Sequence, residues 1–496
     1  MTTAVDDQCT NSRVRDVIAT VSTGVFIDGE WCESASGKRF DVVDPATETV
    51  IASVADGGAE DALRAIGAAG RAQKEWARTS PRERSDILRR AHDSMMEKQE
   101  DLAVIITREM GKPIGEARGE VAYAAEFLRW FSEEAVRVVG DVTLTGDGSN
   151  RIIVSREPVG PCVLVTPWNF PLAMGARKIG PAIAAGCTVV FKPAHLAPLS
   201  SLALVDILVE AGLPKGVVNV VCTSDASAVV SPWMASGIAR KISFTGSTAV
   251  GVRLLEQASA HVMRSSMELG GNAPLIVFED ADLDRAVEGA FAAKMRNMGE
   301  ACTAANRILV HRSVADEFAK RLAARFDSLF VGDGLDESTT VGPLVEAKAL
   351  AKVRALVGDA VQKGATVVCG GTSPDRAGFF FLPTVLSNVS ADADLLSEEI
   401  FGPVAPIVSF DTEEEAVRMA NDTPWGLAAY LFTQDVDRSF RVGDALEVGM
   451  VGLNTGIVSN PVAPFGGVKA SGLGREGGRV GMDEYLEFKY MAMPKA

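Results

Sequence analysis

Histidine is scarce in this sequence. Four occur among 496 residues, His92, His195, His261 and His311, and none stands in a metal-ligand pattern or in a pattern typical of a Cys/His pair. This scarcity argues against zinc enzymes and cysteine proteases, which depend on imidazole groups. Cysteine is also sparse: the seven residues are odd in number and show no CxxC spacing, which favours a reducing compartment. We therefore expect neither a metal site nor a disulfide framework.

Positive charge and long apolar runs are also lacking. The chain carries 49 basic and 65 acidic side chains, a formal net charge of −16, and no cluster of lysine and arginine. Nucleic acid is therefore not an expected partner. The longest uncharged run, Pro158 to Ala176, contains four prolines and cannot be a continuous spanning helix, and the acidic start MTTAVDDQC is unlike a signal peptide. These features predict a cytoplasmic protein without a membrane partner.

Hydrophobic residues, at 47% of the chain, are plentiful enough for substantial cores, and the length suggests two or three domains. A helical region is predicted from about Ala59 to Val139. From Arg151 onward, short β-branched runs such as CVLV and KISF alternate with helical segments, and a second alternating series follows Glu268. The pattern predicts the α/β class, with two doubly wound Rossmann-like domains that meet near the Gly270–Gly271 pair.

Cys302 is the most informative residue, because it lies in GEACTAANR with Glu268 of MELGG upstream and no histidine nearby. A thiol that attacks an aldehyde carbonyl needs a lowered pKa, a donor for the developing oxyanion and a group that activates water. Glu268 has the chemistry of that last group. A single cysteine after a glycine-rich turn is more often a small buried apolar residue, so the neighbouring motifs have to decide.

Two further motifs fit such a reaction. KISFTGSTAVG is typical of a strand, a glycine turn and a helix start, where the amides of Gly246 and Ser247 would hold a pyrophosphate. In PWNFP, two prolines fix the backbone around Asn169, whose amide would donate to an oxyanion. Each motif alone also has an ordinary structural interpretation, a simple strand-to-helix turn in the first case and a structural asparagine in the second.

Together these motifs resemble the aldehyde dehydrogenase superfamily over nearly the whole chain, from FIDGEW to the C-terminal tail. The matching strings include VTPWNFP, FKPA, FTGST, ELGGNAP, EEIFGPV and PFGGVKASGLGREG. The resemblance implies that Cys302 is the nucleophile, that Glu268 activates the deacylating water, and that Asn169 and the Cys302 N–H form the oxyanion hole. It also implies a nicotinamide cofactor, bound by Trp168, Lys192, Ala194, His195, Gly246, Ser247, Leu269, Glu399 and Phe401.

Within the superfamily the chain resembles the succinate-semialdehyde dehydrogenases, on the strings ARKIGPAIAAGC, AKMRNMGEAC and GLNTGIVSN. Arg177 and Arg296 supply a physical reason, because guanidinium groups in the aldehyde channel would pair with a distal carboxylate. Either arginine alone could instead form a surface ion pair. The substrate-binding residues implied by the resemblance are Arg177, Arg296, Ser459, Phe170 and Phe465.

The implied function is the oxidation of succinate semialdehyde to succinate with NAD or NADP, through a thiohemiacetal and a thioester on Cys302. His195 stands where NAD-preferring relatives carry a glutamate. Loss of that carboxylate removes repulsion against a 2′-phosphate, so NADP is expected to be preferred, with NAD use possible. The alternatives are a dehydrogenase for glutarate semialdehyde or for aromatic or aliphatic aldehydes, a cofactor-free thiol esterase, and a non-enzymatic structural oligomer.

The alternation and the resemblance together divide the chain. A nucleotide-binding domain would comprise residues 1–140 and 159–270, a catalytic domain residues 271–468, and a small β oligomerisation element residues 141–158 and 469–496. The tail DEYLEFKYMAM alternates as a strand does and has no partner in the sequence, which predicts pairing with a neighbouring subunit. The resemblance implies a homodimer or homotetramer.

Overall fold

The computed structural model describes residues 12–495 and contains two large, mostly parallel β-sheets and three small antiparallel ones. The helices are α1 (12–19), α2 (Ala59–Trp76), α3 (Pro81–Glu97), α4 (Gln99–Met110), α5 (Ile114–Ala135), α6 (Pro171–Ala185), α7 (Leu199–Glu210), α8 (Ala226–Ala235), α9 (Thr248–Ser259), α10 (Leu283–Met295), α11 (Arg312–Asp327), α12 (Ala347–Gln362), α13 (Asp394–Ser397), α14 (Glu413–Asn421), α15 (Val436–Ala445) and α16 (Val480–Asp483). The strands are β1 (Val25–Ile27), β2 (Glu30–Cys32), β3 (Arg39–Asp44), β4 (Thr49–Ala55), β5 (Asp141–Leu144), β6 (Asn150–Pro158), β7 (Cys162–Val165), β8 (Val189–Lys192), β9 (Val218–Val220), β10 (Lys241–Thr245), β11 (Arg264–Glu268), β12 (Ala273–Val277), β13 (Ala305–His311), β14 (Thr366–Cys369), β15 (Thr384–Ser387), β16 (Val404–Phe410), β17 (Trp425–Gly426), β18 (Ala428–Phe432), β19 (Met450–Leu453), β20 (Val468–Lys469), β21 (Gly472–Leu473) and β22 (Leu486–Pro494).

The first large sheet has the strand order β2-β1-β9-β8-β7-β10-β11-β21. Its five inner strands, from β9 to β11, run parallel, and antiparallel strands complete both edges. Every residue of β7, β8 and β10 is buried, as expected for parallel strands covered by helices on both faces. The alternation predicted from Arg151 onward is therefore confirmed.

The second large sheet has the order β14-β15-β16-β13-β12-β18-β19, and only the edge strand β14 is antiparallel. The chain passes from the first sheet to the second between β11 and β12, through Gly270 and Gly271. A Cβ atom on Gly271 would lie 2.4 Å from the carbonyl oxygen of Cys302, so only glycine permits this close approach. The predicted α/β class with two doubly wound units is confirmed.

A small antiparallel sheet, β22-β6-β5, includes the C-terminal strand. β22 pairs with β6 along nine residues, from Leu486 opposite Pro158 to Pro494 opposite Asn150. A distant segment of the same chain, β6, supplies a partner that the sequence pattern did not reveal, and pairing of β22 with a neighbouring subunit stays a prediction. β21 pairs with β11, and Lys469 of β20 pairs with β17, so residues 469–494 contribute to three sheets. The division into three domains stays a prediction.

The helical region predicted from Ala59 is confirmed as α2 to α5. α3 begins as the sequence indicates, because the Ser80 hydroxyl accepts a hydrogen bond from the Glu83 N–H and Pro81 occupies the first turn. α5 packs against α6, the helix that follows the PWNFP motif. Within residues 12–495, no helix combines the length and apolar character that crossing a membrane requires.

Candidate active site

A cavity of about 610 Å³ lies where the carboxyl ends of first-sheet strands meet the loops of the second sheet. The loops that follow β7, β10 and β11 form one wall, as is usual for ligand sites of open α/β sheets. The structure brings thirteen of the predicted site residues into the lining: Trp168, Asn169, Phe170, Arg177, Gly246, Ser247, Leu269, Arg296, Cys302, Glu399, Phe401, Ser459 and Phe465. Four predicted residues do not line it: Lys192, Ala194, His195 and Glu268.

Cys302 is half-buried on the loop that leads into β13. Burial raises the pKa of its thiol to about 12, an effect that the Arg177 guanidinium opposes and that the carboxylates of Glu399 and Glu268 reinforce. The lowered pKa expected from the chemistry is therefore not found, because burial outweighs the two nearby cations, Arg177 and Arg296. The thiolate, which is the attacking species, forms more readily as the pH rises.

Cys302 is free, as are the other five cysteines within residues 12–495, whereas Cys9 lies outside the described residues. In the same part of the chain, no three histidine, cysteine, aspartate or glutamate side chains are grouped to hold a metal ion. The chemistry that this cavity supports is therefore built from a thiol, carboxylates and guanidinium groups.

Glu268 ends β11 and is buried just behind the cavity wall formed by Leu269 and Gly270. Neither of its carboxylate oxygens has a hydrogen-bond partner in the described part of the chain. Burial, and then the negative charge of Glu476, raise its pKa well above the usual carboxyl range. A buried carboxylate without a partner is costly, and such groups concentrate at functional sites.

Glu476 is a site residue that the sequence reasoning missed. Its Oε2 lies 2.5 Å from the Nε of Arg177, and its Oε1 accepts a hydrogen bond from the Lys178 ammonium. Burial raises its pKa, but the Arg177 and Lys178 cations outweigh burial and hold the pKa at about 2. The two cations therefore favour the ionised form of Glu476. Its position in the string PFGGVKASGLGREG was the only signal in the sequence.

Asn169 lies between β7 and α6, with its side chain buried. Its Nδ2 donates one hydrogen bond to the carbonyl oxygen of Glu300, 3.0 Å away, which leaves the second N–H of the amide for another acceptor. The backbone carbonyl oxygen of Asn169 accepts hydrogen bonds from the Lys112 ammonium at 2.9 Å and from the Asn297 side-chain amide at 3.0 Å. The side chain therefore has the donor and the rigidity that an oxyanion site requires.

The nucleotide side of the cavity begins at Gly246 and Ser247, directly before α9. Ser247 is the N-cap of α9 but its side chain makes no capping hydrogen bond, so the first amides of the helix stay open to an anionic ligand. The rings of Trp168 and Phe401 meet edge to face at 5.5 Å further along the wall. These features fit a pyrophosphate at one end of the cavity and a flat ring towards the other.

Glu399 lies between these ends. Its Oε1 accepts a hydrogen bond from the Gly271 N–H at 3.3 Å, and burial raises its pKa to about 7. The Lys352 ammonium donates to the Glu399 carbonyl oxygen at 2.6 Å and so fixes the loop. A carboxylate placed here fits the hydroxyl groups of a ribose, and the cavity as a whole fits a nicotinamide nucleotide.

Lys192, Ala194 and His195 lie at and just beyond the end of β8, outside the cavity lining. Lys192 is buried, its ammonium donates to the Pro193 carbonyl at 2.7 Å, and burial lowers its pKa to about 8. His195 is exposed, and partial burial followed by the charge of Lys192 lowers its pKa. Lys192 and His195 thus lie close enough for their charges to interact.

Arg296 and Arg177 both line the cavity, but they differ in whether a protein carboxylate already pairs with the guanidinium. The Arg296 guanidinium lies over the Phe170 ring at 5.0 Å and the Tyr123 ring at 5.6 Å, and no ion pair joins it to an acidic side chain within residues 12–495. Arg177 lies over the Phe465 ring at 4.3 Å and is already paired with Glu476. Tyr123, on α5, also lines the cavity and was not indicated by any sequence motif.

The chain belongs to the aldehyde dehydrogenase family, because the model of that family matches residues 31–491. It is an aldehyde dehydrogenase that uses NAD or NADP. More particularly, it is 56% identical over 444 residues to a succinate-semialdehyde dehydrogenase of Paenarthrobacter nicotinovorans, covering 90% of this chain and 99% of that one.

Two further relatives agree with this assignment. The NADP(+) succinate-semialdehyde dehydrogenase GabD of Escherichia coli (strain K12) is 51% identical over 468 residues, which cover 94% of this chain and 97% of that protein. The crystal structure of succinate-semialdehyde dehydrogenase from Burkholderia pseudomallei superimposes with a TM-score of 0.95 at 50% identity, covering 96% of this chain and 99% of that one.

Proposed function

We propose that this chain oxidises succinate semialdehyde to succinate and prefers NADP. The observation that carries the substrate is Arg296, a guanidinium in the cavity wall that is oriented by two aromatic rings and has no ion-pair partner in residues 12–495. Glu116, which interacts with its charge, is hydrogen-bonded to the Asn297 N–H instead. A substrate with a distal carboxylate would complete this site, and the names of the relatives support the same substrate.

The reaction follows from the arrangement of the protein groups. The Cys302 thiol loses its proton to water, the thiolate sulfur forms a bond to the aldehyde carbon, and the carbonyl oxygen becomes an oxyanion that accepts hydrogen bonds from the Asn169 amide and the Cys302 N–H. A nicotinamide nucleotide held by Gly246, Ser247 and Glu399 would supply the hydride acceptor, and loss of a hydride from this carbon leaves a thioester on Cys302. Glu268 then takes a proton from water, the water oxygen attacks the thioester carbon, and the Cys302 thiolate leaves.

Arg296→Ala is expected to lower kcat/KM for succinate semialdehyde by roughly 30- to 400-fold, because truncating one partner of a hydrogen-bonded charge pair costs about 2 to 3.5 kcal/mol in a cavity open to water. Butanal, which has no distal carboxylate, should be affected less than about threefold. Arg296→Lys keeps the charge but not the bidentate geometry and should fall between the two. Equal losses on both aldehydes would refute the carboxylate role.

The same assay distinguishes succinate semialdehyde from the alternative aldehyde substrates. Steady-state rates with succinate semialdehyde, glutarate semialdehyde and an aromatic aldehyde are compared at matched concentrations. A larger specificity constant for glutarate semialdehyde would move the proposal to the longer acid, and a larger one for the aromatic aldehyde would remove the anionic substrate altogether. Ester hydrolysis at full rate without nucleotide, coupled with no aldehyde oxidation, would favour a thiol esterase.

The NADP preference is supported by His195, which is exposed beside Lys192 and leaves no carboxylate at that position to repel a 2′-phosphate. His195→Glu is expected to lower kcat/KM for NADP about tenfold to a hundredfold, the effect of losing a hydrogen bond to a charged group and adding repulsion, and to raise kcat/KM for NAD. His195→Ala is the control and should weaken NADP without improving NAD. A specificity constant for NAD at or above that for NADP in the unaltered chain would overturn the preference.

A further inference from the structure

The turn that precedes the nucleophile has an unusual backbone. Asn297, Met298 and Gly299 have φ values of +55°, +55° and +78°, so three consecutive residues are left-handed. Glycine adopts this conformation freely and asparagine tolerates it, but methionine does not do so readily. A segment of this kind persists only where its surroundings hold it in place.

Two contacts hold this turn. The Glu116 carboxylate, on α5, accepts a hydrogen bond from the Asn297 N–H at 2.6 Å. A Cβ atom on Gly299 would lie 2.2 Å from the carbonyl oxygen of Gly402, so the turn also fits tightly against the loop that carries Phe401. The strained turn is thus fixed from both sides of the cavity.

The Asn297 side chain is fully buried and joins the two loops that carry the proposed oxyanion donors. Its Nδ2 donates to the carbonyl oxygen of Asn169 at 3.0 Å and to that of Glu300 at 2.9 Å. The Glu300 carbonyl oxygen also accepts from the Nδ2 of Asn169 at 3.0 Å. Both neighbours of the Asn297 Nδ2 are carbonyl oxygens, which accept hydrogen bonds but cannot donate them. The NH₂ group of the side-chain amide, and not its oxygen, must therefore face them.

We propose that Asn297 is a positioning residue that holds the Asn169 amide and the Cys302 N–H at the separation an oxyanion requires. One of its two N–H groups binds the loop after β7 at Asn169, and the other binds the nucleophile loop at Glu300, two residues before Cys302. The left-handed backbone directs this amide between the two loops. The proposal rests on the proposed function, which assigns the oxyanion to Asn169 and Cys302.

The test is Asn297→Gly, which keeps the left-handed backbone without strain and removes only the amide. We expect kcat for succinate semialdehyde to fall about tenfold to a hundredfold, less than or equal to the loss of one oxyanion donor. The KM for the aldehyde and the Kd for NADPH should change less than about twofold. Asn388→Gly replaces another left-handed asparagine, in an exposed turn, and is the matched control that should leave kcat unaltered.

Asn297→Asp is the second variant, because aspartate has nearly the same shape as asparagine. It keeps the test available if the Asn297→Gly protein does not fold. It places a carboxylate oxygen against two carbonyl oxygens and should lower kcat at least as far as Asn297→Gly does. An unaltered kcat in either folded variant would overturn the proposal.

A double-mutant cycle separates positioning from general structural damage. Asn169→Ala alone should lower kcat about 100- to 1,000-fold, as expected for an oxyanion donor. Because Asn297 acts partly through Asn169 and partly through the Cys302 loop, adding Asn297→Gly to Asn169→Ala should cost less than Asn297→Gly costs alone, whereas fully additive losses would overturn the proposal. A kcat left intact by Asn169→Ala would instead refute the oxyanion assignment of the proposed function, which keeps the two failures distinguishable.

Discussion

Cys302→Ala is expected to lower aldehyde oxidation by roughly four to six orders of magnitude, the range found when a covalent nucleophile is removed. The sulfur at this position is the only thiol that lines the cavity within residues 12–495, and no lining serine or threonine sits in contact with a base that would activate it. Without the thiol, no covalent adduct forms and the hydride cannot leave the aldehyde carbon. NADPH formation, followed at 340 nm with succinate semialdehyde, measures the loss.

Nucleotide binding should survive this change, because the proposed nucleotide contacts at Gly246, Ser247 and Glu399 do not involve the sulfur. Titration of NADPH fluorescence should therefore give a Kd within about twofold of the unaltered chain. Cys32→Ala is the matched control, since Cys32 is also half-buried but lies on β2, away from the cavity. More than about one percent residual activity in Cys302→Ala would exclude Cys302 as the nucleophile.

Glu268→Gln is expected to separate the two halves of the reaction. Glutamine has the shape of glutamate but cannot take a proton from water, so the thioester should form and then persist. Rapid mixing should show one equivalent of NADPH per active site in a burst, followed by a steady-state rate lower by about 10²- to 10⁴-fold, the usual contribution of a general base. The absence of a burst, or an unaltered steady-state rate, would contradict the assigned role.

Both the deacylation rate and the burst rate are expected to rise with pH. Burial and the charge of Glu476 raise the pKa of Glu268, and the group accepts a proton only when it is ionised. The deacylation rate of the unaltered chain should therefore rise with pH up to a pKa well above the ordinary carboxyl range, and this rising limb should disappear in Glu268→Gln. The burst rate should also rise with pH, because burial raises the pKa of the Cys302 thiol to about 12.

Local features of the site could be predicted from the sequence. The strand, turn and helix around Gly246 follow from residues adjacent in the chain, and so does α6, where Pro171 occupies the first turn after the PWNFP motif. Cys302 and Glu268 were indicated as nucleophile and general base by the resemblance of their motifs, and these roles stay a prediction. The α/β class followed from the alternation of apolar runs and helical segments.

The rest depends on contacts between distant segments. Glu476 and Arg177 come together only when β21 joins the first sheet, and Tyr123 reaches Arg296 only because α5 packs beside the cavity. The pKa of the Cys302 thiol was expected in the wrong direction, since burial is a property of the folded chain and not of a nine-residue string. Pattern and spacing carry no information about such contacts.

The charges behind Cys302 have a consequence for the end of the catalytic cycle. Within the group of Arg177, Lys178, Glu476 and Glu268, the two cations balance the two carboxylates while Glu268 is ionised, and one positive charge remains after Glu268 has taken its proton from water. Oxidation converts an uncharged aldehyde group into a carboxylate at this same place. The remaining positive charge attracts the new anion, and loss of the Glu268 proton cancels it, so electrostatics favours departure of the acid once Glu268 is ionised again.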